Sequence, residues 1–238
     1  MKKILKLYQN FENSLSYFFS NRCDERKFLK EKFKRKKIIF LDLGCNLGTY
    51  TDLINKNLKT KKIYIFEPSK ICFQFLQDKY QEKKINIYNK ALSNRKKTLK
   101  FYEKEIVSQS TLNNKKSKVF NNIKNKSIYN INCISLDEFY KINNLREIYD
   151  LVKIDCEGED YNIIKGAKNL LKKNLIKLLK IEIEFEKNNF YEIIKYLNKF
   201  NYKLTSFTKV KFNNDQSINH IDAYFEKNNS IKYDLYKN

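Results

Sequence analysis

At 238 residues, 42% of them hydrophobic and 15% aromatic, the chain is long enough for one domain with a full core and too apolar to be disordered. Its formal net charge is +22, yet only five arginines (Arg22, Arg26, Arg35, Arg95, Arg146) stand among 49 basic residues, and specific phosphate and base recognition favours arginine's planar fork. The lysine excess therefore reads as a biased, solvated surface. Nucleic acid is the disfavoured partner, while attraction to an acidic substrate or an anionic membrane face stays open. Apolar runs such as Lys37–Gly44 are too short to span a bilayer. Polar Gln9, Asn10, Glu12 and Asn13 interrupt any signal core behind Met1-Lys2-Lys3, so a cytoplasmic protein is expected.

In chain order, Ile4, Leu5, Tyr8, Phe11, Leu15, Phe18 and Phe19 recur at roughly helical spacing. They predict a helix on the outside of the domain, within an N-terminal extension over residues 1–37. Short β-rich runs follow at 38–43, 62–66, 85–88, 151–154 and 178–185, with weaker ones at 202–207 and 222–226. Helical patterns fall at 50–58, 70–79, 160–172 and 191–200. Strands alternating with helices predict parallel pairing through right-handed crossovers. The expected fold is α/β and Rossmann-like: a mostly parallel, doubly wound sheet with helices on both faces. The interval 91–130 breaks the pattern with a strand at 98–102 and a polar Lys/Asn stretch at 113–126. It is read as an insertion, over 95–130, at the rim of the active site. Neither a repeat nor a linker divides residues 38–238, which are expected to form one domain.

Cys23, Cys45, Cys72, Cys133 and Cys156 are scattered, with no C-x-x-C pair. They are expected to be reduced thiols filling small sites rather than zinc ligands. His220 is the only histidine, so Ser-His-Asp or Cys-His catalysis would have to run through it and is set aside.

Ligands of open α/β sheets bind beyond the carboxyl ends of the strands, where the strand order reverses. Residues 38–50, IIFLDLGCNLGTY, read as strand, tight glycine turn and helix, and hold two of the chain's four glycines. Gly44 lets the backbone turn sharply and approach a ligand, Gly48 admits the ligand against the helix start, and Asp42 sits under the turn. Glu67 ends the next strand, 23 residues after Gly44, where such folds present an acid to a ribose diol. A hydroxyl-to-carboxylate hydrogen bond contributes roughly 1.5–3 kcal/mol. A dinucleotide site would show G-x-G-x-x-G, whereas the spacing here is D-x-G-x-x-x-G. The missing middle glycine favours a cofactor without a pyrophosphate, an adenosyl sulfonium such as S-adenosyl-L-methionine.

With these motifs the chain resembles the FkbM-type methyltransferases. The matching segments are LDLGCNLGTYT at 41–51, IFEPS at 65–69, NKALSN at 89–94, ISLDEF at 134–139, VKIDCEGEDYNIIKGA at 152–167 and IEIEFE at 181–186. The resemblance implies a methyltransferase domain over 38–238 in which Asp42, Gly44 and Gly48, with Asn46 in the same loop, border the methionine part of S-adenosylmethionine. It places Glu67 on the ribose and Ala91, Leu92 and Ser93 beside the adenine. Cys45 stands where the family often has alanine.

Val152–Asp160 is the most distinctive segment, a strand running into four carboxylates and a glycine. Methyl transfer is an in-line displacement, and holding the acceptor oxygen in line can supply about 7–11 kcal/mol. A hydroxyl acceptor must also lose a proton, for which Asp155 is the first candidate base and Glu157 the second, with Glu184 orienting the acceptor. Glu159 and Asp160 are read as charges complementing a helix N-terminus. Clustered acids also admit a divalent cation, but the sequence assigns no metal ligands. The leading expectation is O-methylation of a sugar, glycan or small-metabolite hydroxyl. RNA or protein methylation on a basic surface is the second reading, and a binding module with lapsed catalysis the third.

Overall fold

The computed structural model describes residues 25–104, 125–185 and 190–228. The helix expected on residues 1–20 and most of the polar 113–126 stretch lie outside them. Helix α1 (Glu25–Lys32) leads into β1 (Ile38–Leu43), α2 (Thr49–Asn57), β2 (Thr60–Phe66), α3 (Lys70–Lys79) and β3 (Ile85–Tyr88). Next come β4 (Ala91–Leu92), β5 (Lys97–Lys104), β6 (Asn125–Ile134), α4 (Leu136–Ile142), β7 (Tyr149–Ile154), α5 (Asp160–Gly166) and α6 (Lys168–Lys172). The described chain closes with β8 (Ile176–Glu184), α7 (Phe190–Asn198), β9 (Tyr202–Phe212) and β10 (Ile218–Lys227).

Seven strands form one sheet in the order β3-β2-β1-β7-β8-β10-β9. The pairs from β3 through β8 are parallel, and β10 runs antiparallel to both of its neighbours. The chain winds outward from β1 to β3 and resumes on the other side of β1 with β7, so the order reverses between β1 and β7. A ligand crevice is expected at that place.

Alternating strand residues feed two cores, as a period of two requires. Ile38 and Phe40 of β1 join Ile63, Ile65, Leu151 and Leu178 on one face, under Leu29, Ile54 and Leu76 of the helices. Ile39, Leu41 and Leu43 join Tyr64, Phe66, Val152, Ile154 and Ile181 on the other, under Phe139, Ile163 and Leu197. Among the described residues no helix is long and apolar enough to cross a membrane.

The structure departs from the sequence reading in three places. The 91–130 interval contributes a second sheet, β4-β6-β5, whose strands β5 and β6 flank the residues not described. Leu136–Ile142, for which periodicity predicts no element, is helix α4, started by Ser135, whose hydroxyl accepts from Glu138 N at 3.1 Å. The helix expected over 160–172 is two helices meeting near Gly166. A Cβ there would stand 2.2 Å from the Ser93 carbonyl oxygen, so the helix closes on the end of β4 only with glycine.

Candidate active site

The glycine loop after β1 is held by backbone geometry that side chains disfavour. Gly44 has φ +76°, and a Cβ on it would lie 2.0 Å from the Asp155 carbonyl oxygen. What approaches closely is thus the chain's own β7 terminus, which brings the two loops flanking the crevice into contact. Gly48 has φ +77°, and its Cβ would meet Tyr80 Oη at 2.5 Å. The sequence reading puts a ligand against Gly48, but the space its side chain would take belongs to Tyr80, whose one O–H is shared between Gly48 O (2.8 Å) and Asp52 Oδ1 (2.6 Å).

Asn46, also left-handed at φ 54°, turns its N–H to Glu67 Oε2 at 2.7 Å. Glu67 Oε1 accepts from Ser69 N at 2.8 Å, so this one carboxylate braces the loops after β1 and β2. Burial pushes the Glu67 carboxyl up to about 7, and the two N–H bonds offset only part of that. Beneath the turn Asp42 is fully buried, accepting from Thr51 Oγ1 at 2.7 Å and paired with Lys153 Nζ at 3.3 Å. Ala91, Leu92 and Ser93 lie together, buried, at β4, and Ser93 Oγ donates to Glu159 Oε2 at 3.0 Å.

A row of charged groups crosses the sheet on the face that carries Phe40. The register aligns Asp42 with Lys153, Lys153 with Lys180, and Lys180 with Tyr224. Lys153 Nζ bridges Asp42 and Asp155 (3.3 and 3.2 Å) and donates to Gly44 O at 3.0 Å. Lys180 Nζ bridges Asp222 and Glu25 (2.8 and 3.3 Å). Glu25, the first residue of α1, also accepts from Tyr50 Oη at 2.8 Å and from the Tyr224 hydroxyl. A lysine with no role in the sequence reading, Lys153, is thus the centre of the row. Glu25, Lys180 and Asp222 join it through long-range contacts that local spacing does not reveal.

Beyond this row the acids converge. One oxygen from each of Asp155, Glu157 and Glu182 lies within 4.8 Å of the others. Burial raises the Asp155 carboxyl, but Lys153, Lys209 and Lys180 outweigh it and hold it at about 2. Glu182 goes the other way, driven well above the carboxylate range by the charge of Asp155, then by burial, Asp222 and Glu157. Glu182 is the acid the sequence reading misses. Glu184, expected to orient the acceptor, pairs through its backbone with His220, and its side chain lies outside the described residues. Glu157 adopts φ 47° and Gly158 φ 98°, a turn that presents this segment. Asp160, in the first turn of α5, accepts from Cys156 N (2.9 Å) and Gly158 N (3.2 Å), so its carboxylate braces the preceding loop rather than capping the helix.

A reversing parallel sheet, a backbone-braced glycine loop, a buried acid at the end of β2 and acids at the ends of β7 and β8 define a Rossmann-like methyltransferase. The Methyltransferase FkbM domain matches residues 42–204. The chain belongs to this family of methyltransferases, whose methyl donor is S-adenosylmethionine. A methyltransferase FkbM from Methylobacillus flagellatus is similar in structure, with 14% identity and a TM-score of 0.53. The match covers 79% of this chain and 43% of that one, so this chain spans less than half of that relative's length. M. capricolum TrmK, solved with S-adenosylhomocysteine, has 12% identity and a TM-score of 0.50 over 89% of this chain and 71% of that one. At such identities the likeness is one of fold. No curated protein sequence matches the chain.

Proposed function

We propose that the chain transfers the methyl group of S-adenosylmethionine to a hydroxyl oxygen of a sugar, glycan or small metabolite. The observation that carries this reading is the contact between the two loops of the crevice. The Asp155 carbonyl rests against Gly44, so the acids of β7 and β8 stand beside the loop assigned to the donor's methionine. Asp42, Gly44, Asn46 and Gly48 form that loop's side, Glu67 takes the ribose hydroxyls, and Ala91, Leu92 and Ser93 flank the adenine. The acceptor oxygen attacks the methyl carbon, the sulfur–methyl bond breaks, and S-adenosylhomocysteine leaves with the electron pair.

Asp155, held low by Lys153, is a weak proton acceptor and serves better to orient the acceptor. The hydroxyl proton then goes to the neighbouring acids, with Glu157 and Glu182 closest, while Glu184 keeps its proposed part in orienting the acceptor. Cys45, Cys72 and Cys133 are buried within the domain as small core side chains, in keeping with the cytoplasmic setting proposed for it.

Calorimetric titration of S-adenosylhomocysteine into wild type and Gly44→Val tests the donor side. Micromolar binding to wild type, lost in the variant, is expected; no binding to folded wild type would sink the proposal. Among hydroxyl acceptors then screened, Asp155→Ala should remove turnover while changing S-adenosylhomocysteine affinity by less than about twofold.

A further inference from the structure

Glu103, near the end of β5 in the second sheet, is 3% exposed. A carboxyl buried in this way is costly unless its oxygens are hydrogen-bonded, and both are. Oε1 accepts from Ser69 Oγ at 2.5 Å and Oε2 from Ser127 Oγ at 3.1 Å. Ser69 caps α3, its Oγ accepting from Cys72 N at 3.1 Å. The cap needs only a lone pair of that hydroxyl, so capping does not account for the acid that takes the hydroxyl proton. The N–H of the same Ser69 donates to Glu67 Oε1 at 2.8 Å. Tyr129 of β6 grips the residues on either side, its hydroxyl donating to Pro68 O (3.3 Å) and accepting from Lys70 N (3.0 Å). The three residues that follow Glu67 are thus all held by β5 and β6.

We propose that Glu103 is a positioning residue for the methyl donor: acting through Ser69, it aims the Glu67 carboxylate at the ribose hydroxyls. This rests on the proposed function above, in which Glu67 takes those hydroxyls. A carboxylate offers about four lone-pair sites, two on each oxygen. Main-chain N–H groups fill one on each oxygen of Glu67, from Ser69 on Oε1 and from Asn46 on Oε2. One site per oxygen remains, which matches the two hydroxyls of a ribose diol. Where those two sites point depends on where the two N–H groups stand. Asn46 is set by the glycine loop after β1, and Ser69 is set by Glu103 from the second sheet. Asn89 Nδ2 steadies the carbonyls of Glu67 (2.9 Å) and Pro68 (3.1 Å), but Glu103 acts on the residue whose N–H reaches the carboxylate. The sheet β4-β6-β5 is then part of the donor site rather than an appendage to the domain.

The test is calorimetric titration of the full-length chain at pH 8 with S-adenosylhomocysteine and with its 2′,3′-dideoxy analogue. Wild type should bind the analogue at least about tenfold more weakly. Glu103→Ala should weaken S-adenosylhomocysteine about tenfold and the analogue by less than about twofold, because the loss is confined to the ribose hydroxyls. Glu103→Gln keeps an acceptor oxygen for Ser69 Oγ and should restore binding to within about threefold of wild type. Ser69→Ala should show the same ribose-confined loss, and adding Glu103→Ala to it should change little, since both act through one bond. Should Glu103→Ala fail to fold, as circular dichroism would report, Ser69→Ala and Glu103→Gln carry the same comparison. Equal weakening of both ligands would make Glu103 a structural support only and overturn the proposal. Full S-adenosylhomocysteine affinity in Glu103→Ala overturns it too, and both results leave the methyltransferase reading standing. Wild type that binds the two ligands equally removes Glu67 from the ribose and the role of Glu103 with it. Wild type that binds neither overturns the donor reading itself.

Discussion

The two halves of the sheet on either side of β1 are built by different means. On the β2–β3 side the site is a property of backbone: left-handed Gly44, Asn46 and Gly48, and a Glu67 carboxylate occupied by two main-chain N–H groups. On the β7–β8–β10 side it is a property of side chains gathered from distant parts of the chain, with Lys153 and Lys180 each shared between two acids. The first half can be rigid before any ligand arrives, because its geometry rests on sterics. The second depends on charge balance, and changing one member disturbs several others.

The sharpest way to break the comparison is at the point where the halves touch. Gly44→Val places a β-branched side chain at φ +76° and a Cβ 2.0 Å from the Asp155 carbonyl. We expect S-adenosylhomocysteine affinity to fall more than a hundredfold by calorimetry, because the loop must move away from β7. A variant that binds as wild type does would show that the halves are independent. Lys153→Met tests the side-chain half. It strands Asp42 and Asp155 beside an apolar group, and breaking a buried pair costs roughly 3–5 kcal/mol, so a large drop in thermal midpoint is expected. Gly166→Ala perturbs only the seam between α5 and β4. Overpacking of this kind costs about 1–3 kcal/mol, measurable by urea unfolding, with the acid cluster untouched.

Legibility in the sequence follows the same division. The glycine loop, Glu67 and the acidic run after β7 are local patterns, and strands β1 to β3 appear at or near their expected bounds. Among the described residues the acid that meets Asp155 and Glu157 is Glu182, which no local pattern singles out. Glu182 pairs through its backbone with Asp222 on β10, a register that the spacing within β8 does not reveal. His220, the only histidine, carries no local signal of what surrounds it. Its actual surroundings come from Asn219 and from β8, one adjacent and one some forty residues earlier in the chain. Helix α4 had a legible signal in the Ser135-x-x-Glu138 cap, but its short span gave no periodicity to read.

The smallest expected effect concerns the proton on Glu67 and refines the backbone half. In the unfolded chain this carboxyl titrates near its ordinary 4.5, and in the fold burial raises it to about 7. Between those values the folded state holds more protons than the unfolded one, so stability falls as pH rises from 4.5 to 7 and levels off above. The difference corresponds to about 3 kcal/mol for this buried group. Cofactor binding should have the opposite slope. Ribose hydroxyls donate, and the ionised carboxylate is the better acceptor, so S-adenosylhomocysteine should bind with release of a proton near pH 6. We expect its affinity to be about tenfold weaker at pH 6 than at pH 8, and its binding enthalpy at pH 6 to vary with the ionisation heat of the buffer. Glu67→Gln should bind more weakly at pH 8 and lose the pH dependence. If the dependence survives in Glu67→Gln, another group releases the proton and Glu67 is a brace for the loops rather than a ligand of the ribose.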